Sequence, residues 1–542
     1  MKKKLISMLL AAVIVLSVTA CGQAEVVDSS VASDAVVESD VAEAGEVVYP
    51  LGADDETIKI AMMSYNFKIA GDCTNIADTP FWEQYKKNVG VNLEVEMFET
   101  EDAFNLMLAG GDLPDIIMWG PVLTNGGREG MLADEIIVTL SDEELANWAP
   151  DYAAALAAND VARKLLTMEN GEIVGFGNWS SDIRMSATNG MIVRGDWLDD
   201  LGLEAPTTPD EFLDMLRAFK NEKGAEYPMA LTAHRMNLLF SYGFFSSPYG
   251  LINGGEYHVD GKYELGYMQP AYKDYLKLFH TMYEEGLINP DYLTLEQTTV
   301  DGMLYDGRTG VVQQSVIAGL GSYVPAMAEV NPDAELRGIP SLPGPNGEKP
   351  FYGATEGTIG SFQGIITTAC ENKELAMKVL NYGYTPEGQL FMSFGTEGVS
   401  YEMVDGVPTY TELITNDPQF TMGQMCHQYA RAGSFWPWLP MYEYFVQNTS
   451  LPEQRAAVEA WDANDRLLYK MPEIEIAEED MAEYSRISTD VSTYQSEMRA
   501  KFVSGEVDID AEFDNYIQGL KDRGVETLIE MKQKALDKFN AQ

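Results

Sequence analysis

Residues 58–118 constrain the fold more than any other stretch of this chain. Ile58, Ile60 and Met62 alternate, and so do Val91, Leu93, Val95 and Met97, which is the two-residue period of a strand. Between them "TPFWEQYKKNVG" reads as a helix, with Thr79 as N-cap, Pro80 in its first turn and Gly90 after its end. A second helix, around Glu101 to Ala109, leads into "DLPDIIMWG", whose Ile116, Ile117 and Met118 form a short buried strand. Strands alternating with short helices imply a parallel sheet covered on both faces. Ligands of such sheets collect beyond the carboxyl ends of the strands. Trp119 stands at such an end, which makes it a candidate lining residue; packing of its loop against the sheet is the alternative.

A second α/β segment starts near Met191. "MIVRGDWLDDLGLEAPTTPDEFLDMLRAFKNEKG" contains a strand, a short helix and a longer, well-marked helix. Thr208 caps the longer one, Pro209 takes its first position, and Asp210 and Glu211 suit the positive end of its dipole. Phe212, Met215, Leu216 and Phe219 make its buried stripe, and Gly224 follows its end. Phe279, Met282 and Tyr283 play the same part before "EEGLINPDY". These aromatics and methionines read as core rather than as a cofactor box, and no cofactor is expected.

The 542 residues suffice for two or three domains. The formal charge of −49 disfavours nucleic acid and anionic membrane surfaces as partners, since both would repel the chain. Lys2, Lys3 and Lys4 precede an apolar run from Leu5 to Val18, which reads as a signal peptide over residues 1–20 and is too short for a membrane span. The run ends in Val18-Thr19-Ala20-Cys21, which resembles a bacterial lipobox with Cys21 as the lipidated residue; an ordinary cleavage site with an incidental cysteine is the alternative. Residues 21–56 carry many acidic and small residues and, from Gly22, no Lys or Arg, so they read as a disordered acidic tether. Cys73, Cys370 and Cys426 lack metal-ligand spacing; one disulfide or three free thiols are both compatible with them.

Four passages carry a family resemblance. They are "DAFNLMLAGGDLPDIIMW", "VRGDWLDDLGLEAPTTPDEFLDMLRAFK", "GLINPDYLT" with "MLYDGRTGVV", and "ENKELAMKVLNYGYTPEGQLFMSFGTEGVSY". In this order they resemble the extracellular solute-binding proteins of ABC importers, in carbohydrate-binding family 1. The similarity is greatest to the long lipoprotein branch, which includes oligosaccharide and alginate-fragment binders. The resemblance implies a two-lobed, periplasmic-binding-protein-like α/β fold with a hinge and a central cleft. It puts lobe 1 at 57–185 plus 363–427 and lobe 2 at 190–358 plus 430–542. The switches would fall near Ser186–Gly190, near Gly360–Gly364 and before Gly433. Long members often carry an Asp- and Asn-rich calcium loop after the helix that ends here near Phe219; "KNEKGAEYP" is too short and lacks the alternate oxygen ligands, so no metal is expected there.

A sugar offers polar edges and a face of C–H groups, so its receptor needs aromatic platforms and convergent hydrogen-bonding groups. Besides Trp119, "GFGNWSSDIRM" supplies Trp179, Asp182 and Arg184 ahead of the first switch, and Arg184 could fork onto hydroxyls or a carboxylate. A surface ion pair is the other reading of Asp182 and Arg184. His234 in "LTAHRMN" is expected at a strand end, with a structural role as the alternative. Related maltose-type binders present cleft aromatics where this chain has Gln313 and Gln314, and again in the segment of "GSFWPWLPMY" that carries Trp436 and Trp438. Pro437 favours an extended or turn geometry at Trp436, and on an extended segment both indoles could share one face; a plain core cluster is the alternative.

The leading expectation is a monomeric, non-enzymatic lipoprotein on the outer face of a bacterial membrane. It would capture a mono- or oligosaccharide between its lobes and deliver it to ABC permease subunits. A binder of peptides or of another non-sugar solute is a second reading. A secreted glycan hydrolase or lyase is a third, but no serine-nucleophile elbow, HExxH or phosphate loop stands in the chain, and "GLGS" lacks the context of a dinucleotide motif. With 85 acidic residues, paired carboxylates are unavoidable and argue for nothing.

Overall fold

Twelve strands and the helices between them are laid out in a computed structural model that describes residues 45–63, 75–118, 127–168, 171–180, 185, 187–354, 359–430, 436–472, 474 and 476–541. In chain order the strands are β1 (Ala53–Met63), β2 (Val91–Phe98), β3 (Ile116–Met118), β4 (Phe176–Trp179), β5 (Asn189–Arg194), β6 (Glu256–Val259), β7 (Lys262–Leu265), β8 (Val311–Ser315), β9 (Leu336–Ile339), β10 (Ile359–Ile366), β11 (Tyr401–Val404) and β12 (Val407–Tyr410). Two sheets organise the chain into two lobes. The first runs β2-β1-β3-β10-β4 and the second β8-β5-β9.

In lobe 1 the pairs β1/β2 and β1/β3 are parallel, as the alternation of strands and helices requires. The helix between β1 and β2, Pro80–Val89, is capped by Thr79, whose hydroxyl accepts from the Trp82 amide, and ends at Gly90 with φ 69°. The sheet is not parallel throughout: β10 runs antiparallel to β3 and β4, because it carries the chain back from lobe 2. Alternate side chains serve opposite faces. Ile60, Met62, Ile116 and Met118 join one core, and Ala61, Ile117 and Ile365 join the other. Lobe 2 repeats the arrangement, with Met191 and Val193 on one face of β5 and Ile192 on the other. Its helix Pro209–Asn221 has the Thr208 cap and the buried stripe read from its sequence.

The chain crosses between lobes in three places. The first lies between β4 and β5. The second lies before β10, which starts at Ile359, so Gly360 and Gly364 belong to a strand of the lobe 1 sheet rather than to a free switch. A register shift falls between these two glycines. The third separates helix Tyr442–Asn448 from helix Pro452–Asp462. The former belongs to lobe 1, where Gln447 accepts from the Tyr410 amide at 2.9 Å and donates to the Pro408 carbonyl. The latter packs Ala457 and Trp461 on the lobe 2 sheet, so closely that Gly190 and Gly338 have no room for a Cβ beneath them. The expected start of lobe 2 at residue 430 is therefore corrected. Residues 436–448 contribute Trp436, Trp438 and Tyr444 to the lobe 1 core.

The expected tether is corrected at its end as well. Gly45 donates its amide to the Ala146 carbonyl, and the Tyr49 hydroxyl donates to the Lys378 carbonyl at 2.6 Å. Tyr49 also packs edge-on against Tyr382, so residues from 45 onward are part of lobe 1. Overall acidic composition masked the short apolar group Val47, Val48, Tyr49 and Leu51. Cys21, residues 22–44 and Cys73 lie outside the described residues; Cys370 and Cys426 are free thiols. Among the described residues, no helix is long and apolar enough to cross a membrane, and no group of three His, Cys, Asp or Glu side chains could hold a metal ion.

Candidate functional site

Lobe 2 builds a polar cluster where its parallel-bridged strands end. Met229 bridges Val311 and Ile288 in parallel, which adds residues 229–231 beside β8. Asn289 pins this added strand, accepting from the Leu231 amide at 2.7 Å and donating to the Leu231 carbonyl at 3.1 Å. Thr232 then starts helix Ala233–Tyr242, its hydroxyl accepting from the Arg235 amide. That turn brings the Arg235 side chain over the carboxyl end of β8.

Arg235 makes three side-chain hydrogen bonds, all to amide oxygens. Its Nε donates to Gln297 Oε1 at 3.1 Å, Nη1 to Gln313 Oε1 at 3.3 Å and Nη2 to Gln314 Oε1 at 2.7 Å. A guanidinium has no acceptor, so every amide facing it must turn its oxygen inward and its NH2 away. Gln297 thereby donates to Asp301 Oδ1 at 2.9 Å, and Gln314 to the Tyr323 hydroxyl at 3.4 Å. Tyr323 in turn donates to Asp301 Oδ1 at 2.5 Å. The Gln313 NH2 is different: it is buried and has no hydrogen-bond partner.

Burial sets the electrostatics here. It holds the Arg235 guanidinium below its ordinary pKa despite the attraction of Tyr323 and Asp301. It raises the Tyr323 phenol, helped by its bond to Asp301. Partial desolvation and the Arg235 charge lower the pKa of the neighbouring, largely exposed His234.

The cluster borders the crossings. Just after β8 the chain makes a π-helical turn, Val316–Leu320. The Val316 amide donates to the Thr188 carbonyl, one residue before β5, and its carbonyl accepts from Gln454 at 2.8 Å, just past the third crossing. Gly319 lets this turn fold onto the site: a Cβ there would stand 2.3 Å from Gln314 Cγ. We expect Gly319→Ala to push Gln314 off Arg235 and weaken ligand binding several-fold, at a stability cost of about 1–3 kcal/mol. Unchanged ligand affinity in titration calorimetry would show that Gln314 does not depend on this contact.

The candidate residues from the sequence fall into three groups. Gln313 and Gln314 come together on Arg235, and His234 is its sequence neighbour. His234 is exposed at the second position of a helix, not at a strand end, because Thr232 turns the chain there. Trp119, Asp182 and Arg184 lie outside the described residues; they follow the carboxyl ends of β3 and β4. The remaining three tryptophans are core. Trp179 is 4% exposed beside Tyr152 and Tyr384. Trp436 is fully covered, edge-to-face with Trp82 at 5.2 Å and with Tyr85 at 5.3 Å. Trp438 is 5% exposed against Tyr444. The stacking role expected for Trp436 and Trp438 is corrected to packing, since neither offers a ring face to a ligand.

Glycines explain that outcome. A Cβ on Gly364 would come within 3.2 Å of Pro437 Cγ, and one on Gly383 within 2.5 Å of the Pro437 carbonyl oxygen. These two bare positions let the Trp436–Trp438 segment sink into lobe 1. Sequence reasoning missed Arg235, Gln297, Asp301 and Tyr323. One signal was available: two adjacent glutamines in an apolar strand need buried partners, and Arg235 stands next to the His234 that was singled out.

The family model described as bacterial extracellular solute-binding protein matches residues 72–390. Lipoprotein LipO of Bacillus subtilis (strain 168) is 25% identical over 441 residues, covering 78% of this chain and 81% of that protein. The fructooligosaccharide ABC transporter substrate-binding protein FusA of Streptococcus pneumoniae serotype 4 is 23% identical over 502 residues, covering 85% and 87%. Among solved structures, the alginate-binding protein AlgQ2 without calcium ion superposes with a TM-score of 0.71 at 21% identity, covering 90% of this chain and 99% of that one.

Proposed function

This chain belongs to the bacterial extracellular solute-binding protein family, and we propose that it is the saccharide-capturing component of an ABC importer. The observation that carries this reading is the Arg235 cluster at the crossing edge of lobe 2. Sugar hydroxyls both donate and accept, and a cluster of amides, a phenol, a carboxylate and a guanidinium offers both roles in fixed directions. Gln313 and Gln314 are its lobe 2 contacts, positioned by Arg235. Trp119, Asp182 and Arg184 follow β3 and β4 in the sequence and are the ligand contacts proposed for lobe 1. The names of FusA and AlgQ2 support an oligosaccharide as the ligand class. Permease subunits receive the ligand from the closed form.

Cys21 is the lipid attachment, residues 22–44 join it to the body at Gly45, and the body stands on the outer face of the cytoplasmic membrane. Cys21→Ala is expected to release the protein into the culture medium; retention in the membrane fraction would refute the anchor. The function itself is tested by thermal shift against mono- and oligosaccharides, with peptides alongside, because a ligand that binds only the native state raises its melting temperature. Stabilisation by oligosaccharides is expected. Stabilisation by peptides alone would overturn the reading.

A further inference from the structure

A ligand that draws two lobes together has to turn them at the crossings. Gln454 holds the third of these. It lies in the first turn of helix Pro452–Asp462, is 2% exposed and uses both ends of its amide. Its oxygen accepts from the Leu451 amide at 3.1 Å. Its NH2 donates to the Val316 carbonyl at 2.8 Å and to the Asn448 carbonyl at 3.3 Å. Asn448 ends the lobe 1 helix Tyr442–Asn448, and its own side chain donates back to the Tyr444 carbonyl, so it moves with lobe 1. Val316 opens the π-helical turn of lobe 2. The Gln454 amide thus spans both lobes beside the connecting residues 449–451.

Val316 is a junction. Its amide donates to the Thr188 carbonyl at 2.7 Å, so its N–H is tied to the first crossing and its C=O to the third. The turn that it opens bears on the candidate site. A Cβ on Gly319 would overlap Gln314 Cγ, and the Gly319 amide donates to Ser315 Oγ at 3.3 Å, one residue past Gln314. Interiors packed this closely transmit displacement instead of absorbing it, so a shift of Gln314 moves the turn, and the turn pulls on both crossings. When the lobes rotate, the longer bond, to Asn448, is the one that gives way. Its loss leaves a buried donor and acceptor unmatched, which sets a bonded arrangement against an unbonded one.

We propose that Gln454 couples the Gln313–Gln314 subsite to the angle between the lobes. It is a positioning residue, acting through Val316 and Gln314 and not by touching ligand. The inference rests on the saccharide-binding reading of that subsite and adds the element that carries its occupancy to the crossings. Coupling is reciprocal: a change at Gln314 must shift the lobes, and a change at Gln454 must shift ligand affinity.

Single-molecule energy transfer tests this on the mature chain, with dyes on azidophenylalanine at the exposed positions Leu106 in lobe 1 and Val330 in lobe 2. Without ligand, Gln454→Met, similar in length but lacking the amide, is expected to shift or broaden the interlobe distance. Gln314→Ala should shift it as well, and that shift should vanish in the Gln454→Met background. Gly321→Ala is the second variant, since its Cβ would stand 2.9 Å from Gln454 Nε2 and displace the NH2 while leaving Gln454 in place. It replaces Gln454→Met in the same cycle should that variant not fold. Unliganded distances that match the wild type overturn the proposal, even with a lowered melting temperature, because a purely structural role would lower stability alone. A Gln314→Ala shift that is absent, or that simply adds to the shift of Gln454→Met, overturns it too. Kestose, nystose, maltotriose and trigalacturonate are then titrated by calorimetry. Affinity for whichever binds should fall at least about fivefold in Gln454→Met, and unchanged affinity overturns the coupling. If none of these sugars binds the wild type, the saccharide reading is what fails, while the unliganded cycle still decides the coupling.

Discussion

Trp436→Ala is expected to lower the stability of lobe 1 by about 3–5 kcal/mol, the usual cost of deleting a fully buried tryptophan. The indole is fully covered and makes edge-to-face contacts with Trp82 and Tyr85, which add about 0.5–1.5 kcal/mol per pair beyond burial. The cavity cannot collapse easily, because Pro437 is already seated over Gly364 and Gly383. Trp436→Phe should recover more than half of the loss by refilling most of the volume. Thermal or urea unfolding without ligand reads the effect, and calorimetry at a temperature where the variant is folded should show little change in affinity. Intact stability with a large loss of affinity would return Trp436 to the binding surface.

Arg235→Met carries the second large effect, and its signature is the reverse. Saccharide affinity should fall at least tenfold, because the amides of Gln297, Gln313 and Gln314 lose the one donor that they share. Unfolding stability should fall by only about 1–2 kcal/mol. The three amide oxygens lose hydrogen bonds worth about 1 kcal/mol each, but removal of a desolvated, unpaired cation offsets part of that loss. Arg235→Lys should be nearly as damaging to binding, since a point-like ammonium cannot hold three oxygens in one plane. Wild-type affinity in the lysine variant would mean that charge alone matters and that amide orientation does not. The pair of variants thus separates a residue that fills a core from one that arranges a site.

Much of the fold is legible where local rules decide it. Thr79 and Thr208 cap their helices through hydroxyl-to-amide bonds that need only neighbouring residues. Alternation along β1 put Ile58, Ile60 and Met62 on one face, and they share one core, whereas the continuous run Ile116–Met118 carried no alternation and only its pairing with β1 sends Ile117 to the other face. The antiparallel entry of β10 between β3 and β4 was not legible, because no local pattern records where a returning chain inserts. The candidate cluster was legible only in part. Gln313 and Gln314 stood out from their positions in the resemblance, whereas Arg235 is 78 and 79 residues away from them in the chain and is joined to them only by the added strand at 229–231.

The Trp436–Trp438 cluster shows where the division falls. The sequence by itself marked three aromatics and a proline as a strongly apolar segment, and its family resemblance implied two α/β lobes of a solute-binding type. It could not determine which lobe this segment joins or which side of it meets water. Burial is a property of both surfaces in contact, and here the second surface is made by Trp82, Tyr85, Gly364 and Gly383, from parts of the chain that meet only after the sheet has closed. The tertiary structure therefore assigned the tryptophans to the core of lobe 1. It also left the polar work at the strand ends of lobe 2 to an arginine whose partners are three glutamines.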